Sequence, residues 1–233
     1  MLFSKKEVAE YINRAFEPVW ESVRAVPIVR VDFGNGNVVT RTLHGNIATY
    51  VCDAEGRVLD VLPGIYAPAE YRQGLEQLSL LARYVQRPDR RAGRLAEYHR
   101  TLADNLRQHQ PPARLVDTGG MSKRVIEDAI KLVLNPDNTK TPVTNRSAAG
   151  QPDTDVPPED LASWRLLAED TRINETARRL QIHERLAAAG AVKPQGIVKW
   201  LYKDVLHADL DDPYLGLGSV LFASYPFQKE DRR

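Results

Sequence analysis

The stretch from Ile47 to Tyr71 constrains the fold of this chain more than any other. An apolar run from Ile47 to Cys52 meets the turn formers Asp53-Ala54-Glu55-Gly56, and a second apolar run follows from Val58 to Leu62. Two such runs around a short turn make an antiparallel hairpin, because each strand then satisfies the other's backbone. Pro63-Gly64 and Pro68 break the pattern and open a helix in which Tyr71, Leu75, Leu78, Ala82 and Val85 recur every three or four residues. That spacing lays one apolar stripe on the hairpin, giving a layered unit with its own core.

Upstream, Ser4-Lys5-Lys6-Glu7 reads as a capping box. It opens a helix whose apolar face is Val8, Tyr11, Ile12, Ala15 and Phe16. Pro18 ends it, and the alternation from Val19 to Val23 predicts a short strand. Ile28 to Phe33 and Val38 to Leu43 flank Gly34-Asn35-Gly36-Asn37, the pattern of a second hairpin with one wet face. Downstream, Leu95, Tyr98, Leu102 and Leu106 give the charged segment from Arg87 to Gln110 a narrow helical stripe, predicting a helix that packs weakly on the preceding one.

The resulting organisation is an α/β domain over 1–110, a connecting segment over 111–134 with a helix from about Ser122 to Leu134, a flexible linker over 135–158 and a mostly helical C-terminal region over 159–233. The linker follows from its five prolines and its lack of apolar period.

Lys and Arg total 32 against 31 Asp and Glu, a net charge of +1, so nothing steers a nucleic acid or an anionic membrane to the chain. No run of apolar residues is long enough to span a bilayer, and none follows the N-terminal charges, so a cytoplasmic location is expected. Cys52 is the only cysteine, which rules out an internal disulfide, a Cys-X-X-Cys pair and a cysteine-rich metal site within this sequence.

Candidate sites are few. Cys52 lies in an apolar run and is expected to be a buried structural thiol. His44, Gly45 and Asn46, a polar trio at a strand entrance, are the candidate binding residues. Asp117-Thr118-Gly119 has the residues of an aspartic protease loop but precedes a predicted helix, so it reads as an ordinary loop. His207, Asp209, Asp211 and Asp212 carry metal-ligand chemistries at a spacing that fits no calcium loop, and His183-Glu184 lacks the second histidine of a zinc protease helix. No catalytic residue, metal ligand set or cofactor is therefore assigned.

The hairpin from Ala48 to Gly64 with its following helix resembles the closing strand pair and last helix of the thioredoxin superfamily. The segment from Phe3 to Trp20 resembles the end of that family's first helix and the next strand. The resemblance covers residues 1 to about 87 and implies a thioredoxin-like sheet-and-helix domain, incomplete at its N-terminus. It departs from the family in three places. No Cys-X-X-Cys is present, the hairpin from Ile28 to Leu43 stands where a helix is usual, and His44-Gly45-Asn46 occupies the place of the family's cis-proline.

The expected function is therefore a redox-inactive binding or scaffolding module with a protein or peptide partner. The alternative is a thiol-disulfide oxidoreductase whose Cys-X-X-Cys is encoded upstream. The interior strand that precedes the first helix in that family has no counterpart before Phe3, and its place is expected to be filled by 28–33 and 38–43 or supplied from upstream; the sequence leaves the oligomeric state open.

Overall fold

The computed structural model describes residues 2–42, 47–118, 129–133 and 161–218. A 3-10 turn over Leu2–Ser4 leads into α1 (Lys6–Ala15), and the Lys5 amide donates to the Leu2 carbonyl. The helix is entered from Lys5 with no side-chain cap, so the expected capping box is not used. Val8 is buried, while Tyr11, Ile12 and Phe16 pack at the edge of the core.

From Glu17 to Pro27 the chain has no regular structure. The strand expected at 19–23 does not form. Val19 and Trp20 stand 93% and 86% exposed, since alternation makes a strand only where a second edge is there to pair with it.

Among the described residues the strands form three separate antiparallel pairs. They are β1 (Ile28–Asp32) with β2 (Val38–Thr42), β3 (Ala48–Cys52) with β4 (Val58–Pro63), and β5 (Arg114–Asp117) with β6 (Ile130–Val133). The first hairpin therefore does not fill the sheet of the second, contrary to one expectation above. Gly34 and Gly36 take the positive φ values of 72° and 86° that its turn needs. β6 also corrects the helix expected to end at Leu134: Ile130-Lys131-Leu132-Val133 alternates, and it pairs with β5 in register Leu115 to Leu132.

β4 is the central strand of the fold, with all six of its residues buried. Leu59 and Leu62 pack into a core shared with α1, α2 (Pro68–Tyr84) and α3 (Arg91–Arg107), where Leu75, Leu78, Leu81, Leu95 and Leu102 meet them. Val58 and Val61 pack into a second core with Ile182, Leu186, Ile197, Leu201 and Val205.

The C-terminal helices are α4 (Leu161–Ile173), α5 (Arg179–Ala189) and α6 (Pro194–Trp200); Ile182 and Leu186 come from α5, Ile197 from α6, and Leu201 and Val205 from the π turn after it. A π turn over Asn174–Arg178 joins α4 to α5, and another over Leu201–Val205 closes α6. The helical region expected as a separate unit thus shares β4 with the first. α3 lies mainly along α5 and touches α2 more lightly, sharing its core and a hydrogen bond from the Tyr84 hydroxyl to Glu97.

Candidate functional site

Among the described residues, a cluster of ionisable groups is buried between β4, α3 and α5. Asp60 sits mid-strand, 0% exposed, and its carboxylate is held from three sides. Its Oδ1 accepts from the Val61 amide at 2.8 Å, and its Oδ2 accepts from Arg179 Nη2 at 2.9 Å and from the Tyr98 hydroxyl at 3.2 Å. Arg179 also donates to the Val61 carbonyl at 2.8 Å, so the guanidinium clamps both backbone and side chain of β4.

Beside this pair the imidazoles of His99 and His183 share a hydrogen bond of 2.9 Å between their Nδ1 atoms, and His99 Nε2 lies 3.0 Å from the Leu59 carbonyl. A carbonyl only accepts, so His99 carries its proton on Nε2 and accepts at Nδ1 from His183.

The π turn explains how α5 reaches this place. Asn174 is fully buried there, donating to the Ile65 carbonyl at 2.6 Å and accepting from Arg178 Nη1 at 2.6 Å. One extra residue in that turn rotates the following helix, which sets Arg179 and His183, one turn apart, towards β4. Gly64 lets the two segments approach: a Cβ on it would lie 2.9 Å from Asn174 Oδ1.

The electrostatics follow from burial. Burial works against the charge of Arg179, but Asp60 beside it keeps the guanidinium protonated. Burial lowers His99 to about 4, and burial with Arg179 nearby puts His183 well below the ordinary imidazole range, so both rings are neutral at neutral pH. The Tyr98 phenol is raised, first by burial and then by Asp60.

Asp60, His99 and His183 are the described residues that could hold a metal ion, with one ligand atom each within 4.8 Å of the others. The charges speak against that use. The cluster is neutral as it stands, with Asp60 matched by Arg179 and two uncharged rings, so a divalent ion would leave two surplus positive charges in a dry site, at a cost of several kcal/mol per ion. The ring nitrogens are also only 2.9 Å apart, closer than the roughly 3.3 Å between ligands that bond lengths near 2.0 to 2.1 Å require around tetrahedral zinc. The arrangement is a closed polar clamp joining β4 to both flanking helices.

The residues singled out by sequence do not meet there. His44, Gly45 and Asn46 lie outside the described residues. Cys52 is half-buried rather than buried, at a register shift on β3 beside a shallow cleft of about 300 Å³ that Asp53 and Arg91 also line. Burial and then Asp53 raise its thiol, the reverse of the shift that activates a nucleophile.

Asp117 pairs with Arg83 at 2.8 Å and ends a strand. Asp209 and Asp211 are paired with Lys203 and Lys199 at 2.7 and 2.9 Å, and Asp209 accepts from the Asp211 amide as turn carboxylates do.

A different region presents groups that remain uncovered. From Val19 to Val39 the chain exposes Val19, Trp20, Val23, Val26, Ile28, Val31, Phe33, Val38 and Val39, each at least 36% accessible. Its root is fixed where the Arg24 guanidinium donates to the carbonyls of Leu210, Asp212 and Pro213. On the hairpin, Val31 faces Val39 across the ladder and Phe33 follows on the same side, a bare apolar stripe that ends where Val29 faces Arg41.

β1 has no strand neighbour other than β2 among the described residues, and its second edge is open. No helix there is long and apolar enough to cross a membrane. No family model, curated protein or solved structure matches the chain.

Proposed function

We propose that this chain is a redox-inactive, thioredoxin-like binding module that takes up an extended segment of another polypeptide along the open edge of β1. The exposed apolar arm from Val19 to Val39, ending in a two-stranded hairpin whose outer edges have no strand neighbour among the described residues, carries the reading. An isolated two-stranded hairpin is marginal in water, so a third strand on its edge adds main-chain hydrogen bonds, and its apolar face adds side-chain contacts. The thioredoxin-like part rests on the order of β3, turn, β4 and α2, and the redox-inactive part on a single cysteine whose thiol is held protonated. The polar clamp on β4 fits the same reading as scaffold, fixing the body from which the arm projects.

A displayed library of random peptides about twelve residues long tests it. The expected winners alternate apolar and polar residues and lose binding to Val31→Lys and Phe33→Asp. A selection that yields nothing, or peptides that bind these variants as well as the parent chain, contradicts the proposal.

A further inference from the structure

The open edge of β1 has the chemistry of a self-complementary strand. Resting on the strand-addition reading above, we infer that its occupant is β1 of a second copy of this chain, paired antiparallel about a two-fold axis through Val31.

The backbone phase comes first. The Phe33 amide donates to the Asn37 carbonyl across the hairpin. Hydrogen-bonded and non-hydrogen-bonded pairs alternate in an antiparallel ladder, so Val29 and Val31 also turn their backbone groups to β2, while Ile28, Arg30 and Asp32 turn theirs outward. These three residues present the free donors and acceptors.

The side chains then fix the register. With the axis at Val31, Arg30 lies opposite Asp32 of the second copy and Asp32 opposite its Arg30, so both ion pairs form on the outward-bonding positions. Val29 lies opposite Phe33 and Val31 opposite Val31, which extends the apolar face without a break.

The neighbouring registers fail on stated grounds. An axis at Arg30 sets two guanidinium groups directly opposite each other, and one at Asp32 does the same with two carboxylates. An axis between residues puts the apolar face of one copy beside the charged face of the other. Arg30 and Asp32 are both exposed; Asp32 Oδ1 accepts from the Gly34 amide at 2.9 Å, which leaves its Oδ2 to meet an arginine. The product is a four-stranded sheet in the order β2, β1, β1, β2, isologous as a two-fold contact requires.

Sedimentation of the full chain tests the inference through charge reversal. The parent chain should pass from 26.2 kDa to twice that mass with a dissociation constant on the order of 1 to 100 µM, as small interfaces do. Arg30→Asp should weaken association by about tenfold or more, as should Asp32→Arg, since each puts like charges opposite one another twice. The double variant Arg30→Asp/Asp32→Arg should restore it, a rescue that misfolding of either single variant cannot mimic. A parent chain that stays monomeric at roughly 200 µM, or a double variant that stays dissociated, overturns self-pairing. Strand addition as such falls only if the peptide selection fails, so the two failures are told apart.

Discussion

Replacing Arg179 by Met removes the one cation that faces Asp60 at the centre of the clamp. The substitution deletes the 2.9 Å bond to the carboxylate and the 2.8 Å bond to the Val61 carbonyl, and leaves a charge that is 0% exposed, bonded to the Tyr98 hydroxyl and the Val61 amide with the neutral His183 ring 4.0 Å away. Stranding one partner of a buried ion pair costs about 3 to 5 kcal/mol. That is a large share of the roughly 5 to 15 kcal/mol that holds a domain folded.

Asp60→Leu should cost a similar amount, because it strands the guanidinium instead. The double variant Asp60→Leu/Arg179→Met carries neither charge; it takes partners from the Tyr98 hydroxyl and from the Val61 amide and carbonyl but strands no ion, so it should lose clearly less than the two single variants added together. Urea unfolding followed by circular dichroism gives all three values, provided the slope with urea is unchanged. Additive single effects, or an Arg179→Met cost under about 1 kcal/mol, would refute the claim that this pair clamps β4.

Three further outcomes follow from the same geometry. His99 and His183 are neutral when folded and return to an ordinary value of 6.5 when unfolded, so below pH 6.5 the unfolded chain binds more protons and stability falls with pH. Between pH 7 and 5 each ring should remove about 2 kcal/mol, readable as a falling urea midpoint, and a midpoint flat over that range contradicts the neutral pair. Excess zinc should leave the melting temperature within about 1 °C of its starting value, and a rise of several degrees that vanishes in His183→Ala would show that the cluster takes a metal after all. Gly64→Ala should cost about 2 to 4 kcal/mol by calorimetry, because φ is 74° there and the new methyl meets Asn174 at 2.9 Å; a change under about 1 kcal/mol would mean the π turn yields.

The layered unit around β3, β4 and α2 was legible because its signals are local: apolar runs, a turn and a helical stripe within 40 residues. The clamp was not. Asp60 inside Val58-Leu59-Asp60-Val61-Leu62 is a charge in an otherwise apolar strand, and His99 lies beside Tyr98 on the apolar stripe of α3, so a buried polar partner was the available signal. Its partners, however, stand 38 and 119 residues away, and only the docking of α3 and α5 on β4 brings them together. The π turn that aims α5 has no sequence mark of the kind a proline or glycine gives. The segment at 19–23 was misread for the opposite reason, since its local alternation is real but no strand is there to receive it. β1 and β2 were legible as a hairpin, while the open edge of β1 depended on which strands pair with which, a non-local fact.

Amide hydrogen exchange at Arg30 and Asp32, read residue by residue by NMR as protein concentration rises, bears most directly on the open edge as the place of binding. Their N–H groups face outward, so they should exchange fast in dilute protein and slow as the chain associates, while Val29 and Val31, bonded to β2, stay slow throughout. Arg30 and Asp32 amides that remain fast in a sample shown by sedimentation to be dimeric would place the contact elsewhere and contradict the account.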